Sequence, residues 1–247
     1  MKNTVWLLSY PRSGNTWVRF LLMAIQYPEV PVSYLELENY IPDFWQHFHR
    51  IPSIEETDNW TKGFNVKPVI IKSHFRFLPF YKNVIYLYRD PRDVLLSFYY
   101  YHNQNRISRD QTAEWIPFDI FFNMFLRGEI TWGVWDNHVN FWLSFESVEK
   151  CLVSFEDLFN DTYSTVKKIT EFLGLDVDRR MIEQAIDRVS FDKIRAIASR
   201  DGQHINLRGL SGRTGVGKET ITDEQNDLIW ENFSKTMEMI GYKKERE

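Results

Sequence analysis

Three clusters of residues in this chain are suited to chemistry. Tyr10-Pro11-Arg12-Ser13-Gly14-Asn15-Thr16-Trp17 sets a cation, two hydroxyls and a glycine between an apolar run and a helical pattern. A loop that turns from a strand into a helix aims several backbone N–H groups and the positive helix end at one point, and that geometry binds phosphate-like anions. Lys72-Ser73-His74 directly follows a short apolar run with a cation and a side chain whose ordinary pKa lies nearest neutrality. Arg89 follows another short apolar run as a second cation, with Ser97 on the helical pattern after it. The pattern of an ATP-binding loop, G-x-x-x-x-G-K-S/T, requires a Lys that reaches the β- and γ-phosphates. Ser9, Gly14, Asn15 and Thr16 occupy its fixed positions here, so that Lys has become Asn15 while Arg12 lies inside the loop. Such a loop suits an anion on a helix N-terminus but not Mg·ATP.

The elements that must hold these clusters can be read from periodicity. Val5, Trp6, Leu7 and Leu8 form an apolar run suited to a strand covered on both faces, and Trp17, Val18, Leu21 and Leu22 return at helical spacing. Residues 68–72, 84–88 and 151–155 give three further short strands. Asp90, Pro91 and Asp93 have the signature of a helix start, and Thr222 with Gln225 forms a capping box for a last helix that runs to about Ile240. Helical patterns run over 115–126, 134–145, 178–189 and 191–198, and Glu156-Asp157 opens one long helix ending near Gly174. Residues 29–60 read as an irregular acidic and aromatic stretch, and 103–114 as a polar loop. Strands alternating with helices predict an α/β fold, a P-loop-like central parallel β-sheet flanked by helices on both faces. In such a sheet ligands meet the chain just beyond the carboxyl ends of the strands, where Lys72, His74 and Arg89 fall.

Composition narrows the function. Hydrophobic residues are 43% and aromatics 16% of 247 residues, which indicates a globular protein rather than a disordered one. A formal charge of -4 argues against a general nucleic-acid binder. Cys151 is the sole cysteine, so neither an intrachain disulfide nor a cysteine metal cluster can form. With no signal-like start and no apolar run of membrane length, a soluble cytoplasmic protein is the expectation.

The string Y-P-R-S-G-N-T-W resembles the 5′-phosphosulfate loop of the soluble PAPS-dependent sulfotransferases (PAPS is 3′-phosphoadenosine 5′-phosphosulfate; its product is PAP), written Y-P-K/R-S-G-T/N-T-W. The resemblance extends over nearly the whole chain and implies a single sulfotransferase domain, 1–247. Residues 29–62 would be its variable substrate cover and 200–221 its Gly/Arg-rich cofactor loop. Lys72-Ser73-His74 is similar to the family's K-T/S-H, which implies that Lys72 contacts the sulfuryl group and His74 is the catalytic base. Arg12, Ser13, Gly14, Asn15 and Thr16 would hold the 5′ end of the donor, and Arg89 with Ser97 its 3′-phosphate. Trp17, Ser190 and Phe191 correspond to positions at the adenine, where Val189 replaces a Thr. Phe155 stands for the Tyr of a Y-E-D segment. The motif R-K-G-x-x-G-x-W-K is matched only in part, by Arg208, Gly209 and Gly212 in one register or by Lys218 before Thr222 in another; Arg208 and Gly209 are the expected 3′-phosphate ligands, with Arg213 in reserve.

The resemblance implies in-line sulfuryl transfer from PAPS to a hydroxyl or amino group of a small molecule, with Arg12, Lys72 and loop N–H groups stabilising charge and no metal required. A P-loop kinase and a catalytically silent nucleotide-binding protein are the alternatives. Taken singly, His74 is equally a satisfied histidine and Arg89 an ion-pair partner of Asp93. The acidic-aromatic stretch 29–60 points to an acceptor carrying positive charge. The family's dimer segment K-x-x-x-T-V-x-x-x-E keeps Lys218 and Thr222 but has Asp223 and Asp227 at its last two fixed positions, which predicts a monomer or weak homodimer.

Overall fold

The first apolar run is strand β1, Thr4–Ser9, in a computed structural model that describes residues 3–65, 68–201 and 213–244. Its residues alternate between two cores: Val5 and Leu7 enter one, Trp6 and Leu8 the other, which explains why the run is apolar without a break. β2 (Val69–Ser73), β3 (Asn83–Tyr88) and β4 (Glu149–Ser154) complete a parallel sheet of order β2-β1-β3-β4. In register, Leu7 stands opposite Lys72 on one side and Ile85 on the other. The chain leaves β1 toward β2 and leaves β3 toward β4, in opposite directions. A crevice therefore opens at the carboxyl ends of β1 and β3, where this class of sheet binds ligands.

Helices cover both faces. After β1 come α1 (Asn15–Gln26), α2 (Tyr34–Tyr40), α3 (Phe44–Phe48) and α4 (Ile54–Lys62). α5 (Pro91–Arg109), α6 (Phe118–Arg127) and α7 (Trp135–Ser144) lie between β3 and β4. α8 (Phe155–Asn160), α9 (Thr162–Leu173), α10 (Arg179–Arg188) and α11 (Phe191–Arg200) follow β4, and α12 (Val216–Thr220) and α13 (Asp223–Met239) end the described chain. The α1 face is largely aliphatic, whereas the α5–α7–α13 face buries Trp6, Tyr86, Phe121, Phe125, Trp135, Trp142 and Phe233.

Three expectations need correction. Residues 29–60 are not irregular: α2, α3 and α4 occupy much of them, each opened by a side-chain cap from Ser33, Asp43 or Ser53. Those caps supply the start signals that acidic composition hid. The expected loop 103–114 is helical as far as Arg109, because Asn103 is buried and its Oδ1 accepts from Ile116 N–H at 2.7 Å, tying the returning chain to α5. The single long helix before Gly174 is two helices, since Asp161 ends α8 and its carboxylate caps α9 at Ser164 N–H. The capping box of α13, Thr222 with Gln225, is present.

Candidate active site

The loop after β1 ends in a helix start that nothing in the described structure caps. Gly14 is the N-cap of α1 at φ 94°, the first turn holds no acidic side chain, and no side chain bonds its N–H groups. Only glycine fits at 14: besides the positive φ, a Cβ would lie 2.5 Å from the Phe155 ring. Arg12 also has positive φ, 73°, the kind of backbone strain that collects at functional loops. Buried polar atoms without a partner cluster here: Ser13 Oγ, Asn15 Oδ1 and Arg89 Nε. Orphaned groups of this kind around an uncapped helix start fit an anion of the phosphate class.

Two guanidiniums converge on the loop. Arg12 donates from Nε to Ser97 Oγ at 3.0 Å and lies over the Tyr101 ring, 4.8 Å from its centroid. Burial lowers its pKa to about 10, and among the described residues no carboxylate pairs with it. Arg89 donates to the Arg12 carbonyl at 3.3 Å, stacks 4.1 Å from the Phe155 centroid and pairs with Asp93 at 3.2 Å. Asp93, read in the sequence as a first-turn acid or an ion-pair partner of Arg89, is a hub. It also accepts from Gly215 N–H at 2.9 Å and Gly217 N–H at 2.6 Å, so one carboxylate joins Arg89 to the start of α12. Gly217, which stands at the motif's Trp in the register set by Lys218, meets the Arg92 backbone: a Cβ there would be 2.2 Å from the Arg92 carbonyl. Arg208 and Gly209 lie outside the described residues. Arg213 pairs with Glu219 at 3.1 Å on the surface.

Along α1 the site becomes aromatic. Trp17 packs 4.3 Å from Phe191 and 6.3 Å from Phe155, and its Nε1 donates to the Val189 carbonyl at 3.1 Å. Ser190 caps the backbone turn into α11 without a side-chain bond. Thr16 is in the first turn of α1. Ser97, Arg12, Arg89, Phe155, Gly14, Trp17 and Phe191 thus form one continuous strip, although they come from four separate regions of sequence.

Lys72 is the penultimate residue of β2 and His74 follows its end, on the other side of β1. His74 Nδ1 is 2.8 Å from the Ser9 carbonyl, which can only accept; Nδ1 therefore carries the proton and Nε2 the lone pair. Burial and the Lys72 ammonium hold the His74 pKa well below its ordinary 6.5, so the imidazole is neutral at neutral pH. Ser9 also joins the two halves of the site, because Asn15 Nδ2 donates to its Oγ at 3.3 Å. Behind His74 stands His138, which sequence reading missed. Its Nε2 donates to the His74 carbonyl at 3.0 Å, and its Nδ1 accepts from Tyr86 O–H at 2.9 Å. Burial lowers its pKa to about 4. Only the fold could find it, because a single histidine in an aromatic helix has no motif. Trp132, at φ 87°, sits 5.5 Å from the His74 ring and 5.2 Å from Phe75, and half-exposed Trp45 lies 5.6 Å beyond Phe75. Tyr10 O–H holds that turn through the Gly133 carbonyl at 2.8 Å.

An uncapped helix start at the switch of a parallel sheet, beside the guanidiniums of buried Arg89 and half-buried Arg12, defines a protein that binds a nucleotide-like phosphate. The family is narrower than that. Residues 2–241 match the sulfotransferase domain, and the chain belongs to the sulfotransferase family, whose sulfuryl donor is PAPS. It is 25% identical to rabbit amine sulfotransferase over 94% of this chain and 80% of that one. Guinea pig 3-alpha-hydroxysteroid sulfotransferase is 34% identical over 68% of this chain and 57% of its own. Mouse sulfotransferase SULT7A1, solved in complex with PAP, has the same fold with a TM-score of 0.68 at 22% identity, over 96% of this chain and 85% of that one. Among the described residues no helix is long and apolar enough to cross a membrane.

Proposed function

We propose that the chain, acting as one domain, sulfates a hydroxyl or amino group of a small molecule in the cytoplasm, with His74 as general base. The observation that carries this reading is the His74 ring: neutral, with Nδ1–H committed to Ser9 and Nε2 left as a proton acceptor. When bound, PAPS supplies an activated sulfuryl group. The loop N–H groups of 13–17 and Arg12 would hold its 5′ end; Arg89 and Ser97, with Arg208, Gly209 or Arg213, would hold the 3′-phosphate; and Trp17, Phe155, Ser190 and Phe191 would hold the base. Lys72 would contact the sulfuryl group. His74 Nε2 takes the proton of the acceptor, which is a general-base contribution of roughly 10²–10⁴-fold.

The acceptor we propose is small and carries positive charge near the reacting group. Trp45, Phe75 and Trp132 form a run of touching rings that ends at His74, and exposed Glu55 and Asp58 lie on the cover. The rabbit relative is named for amines and the guinea pig one for a hydroxysteroid, so both chemistries belong in the screen. A monomer or weak dimer fits the internal use of the dimer segment: Thr222 caps α13 and Asp227 pairs with Lys244 at 2.6 Å. The test is a Mg²⁺-free titration with PAP followed by transfer of labelled sulfate from PAPS to phenols, alcohols and amines. Binding and transfer support the reading. PAP binding with no transfer to any acceptor would leave a silent nucleotide-binding protein, and preference for Mg·ATP a kinase.

A further inference from the structure

Lys72 is held by a residue from outside the sheet. Its Nζ lies 2.5 Å from Asp43 Oδ2, and the two side chains are only 12% and 11% exposed, so water screens the pair weakly. Asp43 is fixed before the lysine is considered. Its Oδ1 accepts from Trp45 N–H at 2.9 Å as the cap of α3, and its own N–H donates to Glu38 Oε2 at 2.9 Å. Glu38 in turn pairs with buried Arg19 at 2.8 Å. The backbones also meet: Lys72 N–H donates to Pro42 O at 2.9 Å, and an isolated parallel bridge joins Asp43 to Lys72 at the open edge of β2.

We propose that Asp43 is a positioning residue for the transfer reaction, fixing the Lys72 ammonium at the β2 end that leads into His74. The inference rests on the reading of Lys72 as the sulfuryl contact. Lys72 is at the end of β2 and His74 directly follows it, close enough for the ammonium charge to act on the ring. A lysine has four rotatable bonds and no preferred direction of its own, so a fixed carboxylate is what gives it one. The carboxylate also keeps it charged: burial pulls the Lys72 ammonium down, and Asp43 opposes that. Burial alone would raise the Asp43 carboxyl, yet Lys72 brings it below its ordinary range.

The same charge reaches His74. Facing that ring are Lys72 on its own strand, Asp43 from α3, His138 from α7 and the Ser9 carbonyl from β1. Burial, Lys72 and His138 disfavour the imidazolium, while Asp43 and Ser9 favour it. With Lys72 still protonated, removing the Asp43 charge lowers the His74 pKa further.

Asp43→Asn separates this role from a structural one, because Asn caps helices as well as Asp does while losing the charge. The measurements are kcat, KM for PAPS, PAP affinity by calorimetry and the pH dependence of kcat/KM, beside Lys72→Met. The expected result is kcat lower by roughly 10–100-fold, the scale of a misplaced catalytic group. PAP affinity should be unchanged, since PAP lacks the group Lys72 meets, and the acid limb should move to lower pH. If Asp43→Asn keeps kcat and the acid limb while Lys72→Met loses turnover, the positioning role is wrong. Loss of PAP affinity together with thermal stability would also overturn it, leaving Asp43 a structural cap. If Lys72→Met keeps its turnover, the reading of Lys72 itself fails.

Discussion

The two halves of the site differ in how their polar groups are satisfied. On the α1 side, Ser13 Oγ, Asn15 Oδ1 and Arg89 Nε are buried with no partner, and Arg12 is a half-buried cation resting on a ring and a serine. On the β2 side each group has its partner: Tyr86 to His138, His138 to the His74 carbonyl, His74 to Ser9, Lys72 to Asp43. The first half therefore presents unpaired polar groups of the kind that suit an anion. The second is complete in itself and keeps its protons where the chemistry needs them. Binding and turnover should therefore separate under mutation, with the largest effect on the β2 side.

His74→Ala is expected to lower kcat by about 10²–10⁴-fold and leave PAP affinity as it was. Near-normal turnover at neutral pH would move the base elsewhere and erase the contrast. The wild-type pH profile sharpens the point. A base must be neutral, and the His74 pKa lies well below 6.5, so kcat/KM should hold as pH falls through 6.5 and drop only at lower pH. An acid limb centred at or above 6.5 would contradict the buried, lysine-flanked ring.

Next in size is the α1 side. Arg89→Ala should weaken PAP by roughly 10–100-fold with little change in kcat at saturating donor, since charge-assisted bonds to phosphate contribute about 1.5–3 kcal/mol. The matching ligand experiment compares PAP with its 3′-hydroxyl counterpart. Equal calorimetric affinities would mean that Arg89 and Ser97 do not meet the 3′-phosphate.

His138→Phe tests the support behind the base. It leaves the His74 carbonyl without its donor and the Tyr86 hydroxyl with only its longer contact, at 3.4 Å, to the backbone carbonyl of residue 138, a loss of about 1–3 kcal/mol in unfolding free energy. Stability should also fall with acid in the wild type but less in the variant. The folded His138 pKa, about 4, is below the unfolded 6.5, so the unfolded chain takes the proton first. The contribution is whole above pH 6.5 and is lost as pH falls toward 4. Chemical denaturation of both proteins between those limits measures it, and parallel curves would remove His138 from the account.

The contrast also explains what could be read without a structure. The Tyr10–Trp17 loop and the four strands are local patterns: an apolar run, then a glycine that must take positive φ. Arg89 and Ser97 share a strand end and the helix after it. The partners that complete the β2 side are distant in sequence, with 52 positions between Tyr86 and His138 and 29 between Asp43 and Lys72. No short window contains both members of either pair. The helices of the cover were hidden for another reason. Each has only five to nine residues, too short for helical periodicity to stand out from acidic composition.

The smallest expected effect concerns the acceptor, and the geometry of the cover sets its size. Seven carboxylates lie between residues 29 and 58, which suggested a strong pull on cations. Three of them are engaged: Glu38 with Arg19, Asp43 with Lys72 and Glu56 with Arg50. Exposed carboxylates such as Glu55 and Asp58 are screened by water, so the rings of Trp45, Phe75 and Trp132 must supply most of the preference. A partly exposed cation–π contact is worth about 0.5–1 kcal/mol, or a factor of roughly two to five. For two acceptors differing only in a quaternary ammonium group, the charged one should have the higher kcat/KM by that factor. Trp45→Leu should shrink the difference, while salt should change it little, because rings rather than free carboxylates carry it. A higher kcat/KM for the neutral acceptor would exclude a cationic substrate class. A difference abolished by salt and indifferent to Trp45 would return the preference to the exposed carboxylates.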